Sequence, residues 1–105
     1  MSERVFLAKL EKLPEGQPYQ ACPAGRDEAY ALFKVQDKIY LTDDLCTHGL
    51  VSLSGGDLEG TTIFCPLHGG AFDVTTGEAV ELPCKRALKT YSVVVENGDV
   101  FGLIG

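Results

Sequence analysis

"LCTHGL", residues 45–50, sets Cys46 and His48 one residue apart, and "FCPLHGGAF", residues 64–72, repeats the pairing as Cys65 and His68. Three chemistries could use these four side chains. A single tetrahedral zinc could take all of them, although paired zinc ligands usually leave two to four residues between them and Cys46-x-His48 leaves one. A nucleophilic cysteine with a histidine base explains one pair and leaves its duplicate without a task. A two-iron, two-sulfide cluster uses both pairs. Each loop then gives its cysteine to one iron and its histidine to the other, so the loops must match.

The surrounding chain carries Gly49, Gly55, Gly56, Gly60, Gly69, Gly70 and Gly77 within residues 44–82. Glycine at this density admits positive φ and close approach of backbone to a bound object. With "TTIF" as a short strand, "HGLVSLSGGDLEGTTIFC" reads as two metal-binding loops joined by a hairpin. The flanks have a different character. "RVFLAKL" precedes the turn-rich "PEGQP", "AYALFKV" faces "IYLTD" across "QDK", and "YSVVVE" faces "VFGLIG" across Asn97-Gly98-Asp99. Asn-Gly supplies the positive φ values of a tight hairpin turn. No stretch of ten residues has helical periodicity, and the alternating β-branched segments predict an all-β, antiparallel fold.

The 105 residues suit one domain of ordinary globular composition, 45% hydrophobic and 23% charged. The opening "MSERVFLAKLEKLPEG" lacks the apolar core of a signal peptide, and no run is long enough to cross a bilayer, so a soluble, cytoplasmic protein is expected. In that compartment thiols stay reduced, and two disulfides among Cys22, Cys46, Cys65 and Cys84 are not expected. The net charge of −6 argues against nucleic acid and against an anionic membrane as partners. Its distribution is uneven. Residues 39–84 hold seven acids and no lysine or arginine, whereas the flanks hold eight acids and all nine bases. A solvated face explains this adequately, but its coincidence with the Cys/His segment favours an acidic docking surface around a metal site.

"CTH" followed sixteen residues later by "CPLHGGAFD" resembles the Rieske iron–sulfur motif, Cys-x-His … Cys-x-x-His. The resemblance takes in Pro66, Gly69 and Phe72-Asp73, then "FDVTTGEAVELP" and the closing "LKTYSVVVENGDVF". It implies a Rieske fold, with an antiparallel base at residues 1–43 and 83–105 and an inserted cluster-binding subdomain at 44–82. It also implies one [2Fe-2S] cluster, with Cys46 and Cys65 on the inner iron as thiolates and His48 and His68 on the outer iron as neutral imidazoles. Cys22 and Cys84 fall outside the motif and are expected to be buried or half-buried thiols.

Charge counting shows what such a ligand set achieves. Two ferric ions and two sulfides make a +2 core, which two thiolates neutralise, so reduction runs from 0 to −1. Four thiolates would make the same step run from −2 to −3, which is harder in a low-dielectric site. A cluster with complete coordination carries electrons and does not transform substrate. The chain has no dinucleotide-binding glycine fingerprint and no mononuclear iron triad. It therefore resembles a free-standing Rieske ferredoxin, expected to act as a monomer. The resemblance implies electron flow from NAD(P)H through a flavoprotein reductase to this carrier, and then to a terminal Rieske non-haem iron oxygenase that hydroxylates aromatic rings. Respiratory Rieske proteins have an extra disulfide cysteine in each loop, where this chain has Val51 and Leu67. Their serine and tyrosine donors correspond to Gly70 and Phe72. The small subunit of another oxidoreductase, such as nitrite reductase, is the alternative within electron transfer; a zinc-binding interaction module is the alternative outside it.

Overall fold

The computed structural model describes residues 3–46, 51–66, 70–81 and 86–104. Among these residues ten strands run in chain order: β1 (Glu3–Lys9), β2 (Pro18–Ala21), β3 (Tyr30–Val35), β4 (Lys38–Asp43), β5 (Asp57–Glu59), β6 (Thr62–Phe64), β7 (Ala71–Asp73), β8 (Ala79–Glu81), β9 (Thr90–Glu96) and β10 (Asp99–Ile104). Single 3-10 turns occupy Leu10–Lys12 and Leu53–Gly55, and no α-helix occurs among the described residues. None of their helices is long and apolar enough to cross a membrane.

Two antiparallel sheets result, one of six strands in the order β1-β10-β9-β4-β3-β2 and one of four in the order β5-β6-β7-β8. Both flank hairpins read from sequence form with two-residue turns. Gln36 (φ 50°) and Asp37 (φ 67°) join β3 to β4, and Asn97 (φ 53°) and Gly98 (φ 78°) join β9 to β10. Two consecutive positive φ values match the right-handed twist of the strands they connect. Asp99 belongs to β10, opposite Glu96, rather than to the turn.

β3 explains how the two layers meet. Its first four residues, Tyr30-Ala31-Leu32-Phe33, are all buried. Side chains alternate across a strand, so a run without polar residues requires cover on both faces. Tyr30 and Leu32 enter a core with Val5, Leu7, Leu41 and Val100. Ala31 and Phe33 point the other way, into a second core with Leu53, Ile63, Phe72, Val74 and Leu88. Burying a side chain of the size of Phe33 or Phe72 is worth roughly 1.5–3 kcal/mol, which is ample to seat one sheet on the other.

Two glycines set the geometry of the smaller sheet, and they act on protein backbone rather than on a bound object. A Cβ at Gly56 would fall 1.9 Å from the Phe64 carbonyl oxygen on β6. Gly77 has φ +84°, and a Cβ there would fall 2.2 Å from the Leu88 carbonyl oxygen. The Leu88 N–H donates to the Gly77 carbonyl at 2.7 Å, which fastens the β7–β8 turn to the chain returning to β9. The positive φ expected of this segment is found at Gly77, and the close approach at both glycines is to protein backbone; Gly49 and Gly69 lie outside the described residues.

Candidate metal centre

β4 ends at Asp43 and leads through Asp44 and Leu45 to Cys46. Leu45 forms an isolated antiparallel bridge with Ser52, and the Cys46 N–H donates to the Val51 carbonyl at 2.9 Å. β6 ends at Phe64, which pairs with Ala71, and the Cys65 N–H donates to the Gly70 carbonyl at 2.6 Å. The two loops are closed alike. In each, a cross-strand pair precedes the cysteine, and the cysteine N–H then bonds the carbonyl five residues on. The β5–β6 hairpin connects them, as the sequence predicts.

Closure at this point sends both cysteines inward. Cys46 and Cys65 are 2% and 3% exposed, and both belong to the second core beside Ile63, Phe72 and Val74. The structure therefore brings the two predicted thiolate ligands into one apolar cluster. His48 and His68 lie outside the described residues, as do Thr47, Leu50 and Leu67. Phe72 is fully buried, and Gly70 is buried where its carbonyl closes the second loop. Val51, half-buried, packs on the same core.

Cys22 corrects an expectation. It is exposed, and lies just beyond the last residue of edge strand β2 and before Pro23. Cys84 lies outside the described residues.

The acidic character of the centre is also reshaped. Asp27 and Glu28, from the segment before β3, line a cavity of about 330 Å³ with Asp43, Asp44, Leu45 and Ser52. The fold thus adds two flank acids to those of the central segment, beside Leu45, which is 53% exposed. Asp44 differs from its neighbours in being only 2% exposed, and both of its carboxylate oxygens accept hydrogen bonds. Asp43 accepts the Tyr91 hydroxyl at 2.6 Å. Burial first, and then this bond to a carboxylate, holds the Tyr91 hydroxyl well above the ordinary tyrosine range.

Two buried cysteines at equivalent positions of twin loops suit a cluster that takes one thiolate from each loop. Unligated thiolates would be costly in such an apolar setting, and a bound metal would compensate that cost. Residues 3–92 match the Rieske [2Fe-2S] domain family.

The chain belongs to that family.

Its Rieske cofactor is one [2Fe-2S] cluster, and two cysteines buried in one core suit such a group. Among curated relatives, the ferredoxin component of a naphthalene 1,2-dioxygenase system from Pseudomonas aeruginosa is 46% identical over 101 residues, spanning 95% of each chain. Among solved structures, a ferredoxin of Sphingomonas yanoikuyae B1 superposes with a TM-score of 0.92 at 36% identity, covering 98% of this Rieske chain and 100% of that one. A chain in the complex of reduced oxygenase and oxidised ferredoxin of carbazole 1,9a-dioxygenase superposes with a TM-score of 0.89 at 35% identity, covering 98% and 94%. The expected all-β Rieske fold is thus the fold observed.

Proposed function

We propose that this chain is a one-electron carrier, the ferredoxin component of a multicomponent aromatic-ring-hydroxylating dioxygenase system, and is not itself the oxygenase. One observation carries the reading: twin loops with a buried cysteine at the base of each, in a Rieske chain matched nearly end to end by a dioxygenase ferredoxin component. The bound cluster supplies a centre that accepts and releases a single electron. The chain holds it, with Cys46 and Cys65 assigned to the inner iron and His48 and His68 to the outer iron. We assign residues 1–43 and 83–105 to the base and 44–82 to the cluster-binding subdomain.

The carrier receives electrons from an NAD(P)H-dependent flavoprotein reductase and passes them to a terminal Rieske non-haem iron oxygenase. It works as a monomer in the cytoplasm, where NAD(P)H is available. A relative's complex with its oxygenase supports the second of these contacts. Exposed Leu45, beside the acids Asp27, Glu28 and Asp43, together with exposed Pro66 on the second loop, suits a small transient contact against a basic rim on the partner.

Purified protein should be coloured and hold two irons and two acid-labile sulfides per chain. Its one-electron potential should lie at the low end of the Rieske range, about −150 mV. It should restore electron flow between a dioxygenase reductase and its oxygenase, at rates that fall as ionic strength rises. A colourless protein with stoichiometric zinc after anaerobic reconstitution would overturn the reading. A potential near +300 mV would overturn the assignment to a dioxygenase carrier.

A further inference from the structure

The two ligand loops close alike but are braced differently. Behind Cys65, β6 and β7 pair three times, through Thr62–Asp73, Ile63–Phe72 and Phe64–Ala71. Behind Cys46 the two limbs of the loop pair, among the described residues, only at the Leu45–Ser52 bridge, after which the return limb turns into the 3-10 turn at Leu53–Gly55. Asp44 takes the place of the missing ladder. Its carbonyl accepts the Leu53 N–H at 2.6 Å, its Oδ1 accepts the Ser54 N–H at 2.8 Å, and its own N–H donates to the Ala29 carbonyl at 3.3 Å. Its Oδ2 accepts the Gln20 Nε2 at 2.8 Å, which ties the loop to edge strand β2. The same Gln20 nitrogen donates to Ser52 Oγ at 3.4 Å.

Asp44 is 2% exposed, and both of its carboxylate oxygens accept from N–H groups, the pattern of an anion. Among the described residues no salt bridge reaches it. Among these residues its charge is held by hydrogen bonds, two residues before Cys46. A fixed anion in a low-dielectric interior repels an electron added nearby.

We propose that Asp44 is the positioning residue of the first ligand loop and that its buried negative charge holds down the reduction potential of the bound cluster. The proposal rests on the reading of Cys46 as a cluster ligand. Asn at this position keeps the shape and an acceptor for the Ser54 N–H, and a turned-over Gln20 amide can accept from its Nδ2. Ala keeps neither bond.

The test uses the cluster-loaded protein and compares Asp44→Asn, Asp44→Ala, Gln20→Leu and Cys46→Ser. Asp44→Asn should resist a chelator as wild type does, with a potential shifted upward by about a three- to tenfold change in electron partition; tenfold is about 59 mV for one electron. Asp44→Ala should lose its cluster several-fold faster while its strand circular dichroism persists. Gln20→Leu should fall between Asp44→Ala and wild type, and stands in if Asp44→Ala does not fold. An unchanged or lowered potential in Asp44→Asn overturns the role of the charge. Cluster loss at the wild-type rate in Asp44→Ala, or in Gln20→Leu where Asp44→Ala does not fold, overturns positioning. A wild-type spectrum in Cys46→Ser overturns the ligand reading itself, whereas a cluster-deficient Cys46→Ser beside unaltered Asp44 variants overturns the present proposal alone.

Discussion

The six-stranded and four-stranded sheets bury their apolar side chains by different means. The larger sheet has strands of four to seven residues and a core of Val, Leu, Ile and Ala with Tyr30. Every strand of the smaller sheet has three residues. Such strands are only about 10 Å long, and a sheet this small needs a partner to be stable. Its core takes Ala31 and Phe33 from β3 and Leu88 from the chain before β9, and it includes both cysteines. The larger sheet packs a core from its own long strands, whereas the smaller one leans on β3, on the chain before β9 and on the two cysteines, so its order is expected to depend more on the cofactor.

Removing the metal should expose this difference most visibly. Cluster extraction, or Cys65→Ser, should destabilise the smaller sheet by several kcal/mol, on the order expected when a bound group stabilises only the folded state. Hydrogen exchange reads this directly. Amides of β6 and β7 should lose protection well before those of β9 and β10. Equal loss in both sheets would dissolve the distinction. Cys22→Ser, at an exposed thiol, should leave iron content and spectrum unchanged.

The two faces of β3 sharpen the comparison. Phe33→Ala and Leu32→Ala should each cost about 2–5 kcal/mol of global stability, measured by denaturant unfolding. Only Phe33→Ala, on the face shared with the cysteines, should also speed cluster release. Equal release rates at matched destabilisation would show that the cores are coupled.

A smaller effect is expected at the turns. Gly77→Ala forces an L-residue to φ +84° and drives a Cβ into the Leu88 carbonyl, whereas Gly98→Ala meets only the conformational cost at φ +78°. That cost is about 1–2 kcal/mol, so the melting temperature should fall clearly further in Gly77→Ala. The smallest effect belongs to Tyr91. Tyr91→Phe should cost about 0.5–1.5 kcal/mol near neutrality. Tyr91 stays protonated in the fold above pH ~10, where the unfolded chain ionises. Its contribution is therefore complete below that pH and fades as pH rises further. Stability measured at alkaline pH should fall more gently in Tyr91→Phe than in wild type.

Much of this architecture is legible in the sequence, for identifiable reasons. The hairpins β3–β4 and β9–β10 show themselves because their strands are long enough for alternation to be visible and their turns leave a chemical mark at Asn97-Gly98. β2 escapes notice, since it is four residues long and begins with Pro18, a residue tolerated only at an edge or a strand start. β5, β7 and β8 are too short to display a period. Cys46 and Cys65 stand out by their spacing, and the structure buries both in one core. Asp44 does not stand out. It sits among seven acids in residues 39–84 and has the same appearance as any of them, while its burial depends on Gln20, twenty-four residues earlier. The exposure of Cys22 likewise depends on what lies above it, which no local pattern encodes.

The matching closures of the two loops also separate loop length from ligand spacing. Four residues stand between Cys46 and Val51 and four between Cys65 and Gly70, yet the histidine is second of the four in one case and third in the other. Ring size is set by the backbone bond, and the position of the imidazole along the ring is a separate choice of sequence. An engineer could therefore move the histidine along either loop by exchanging neighbours, without lengthening the chain or disturbing its closure. Coordination geometry becomes a variable that can be adjusted on a constant frame.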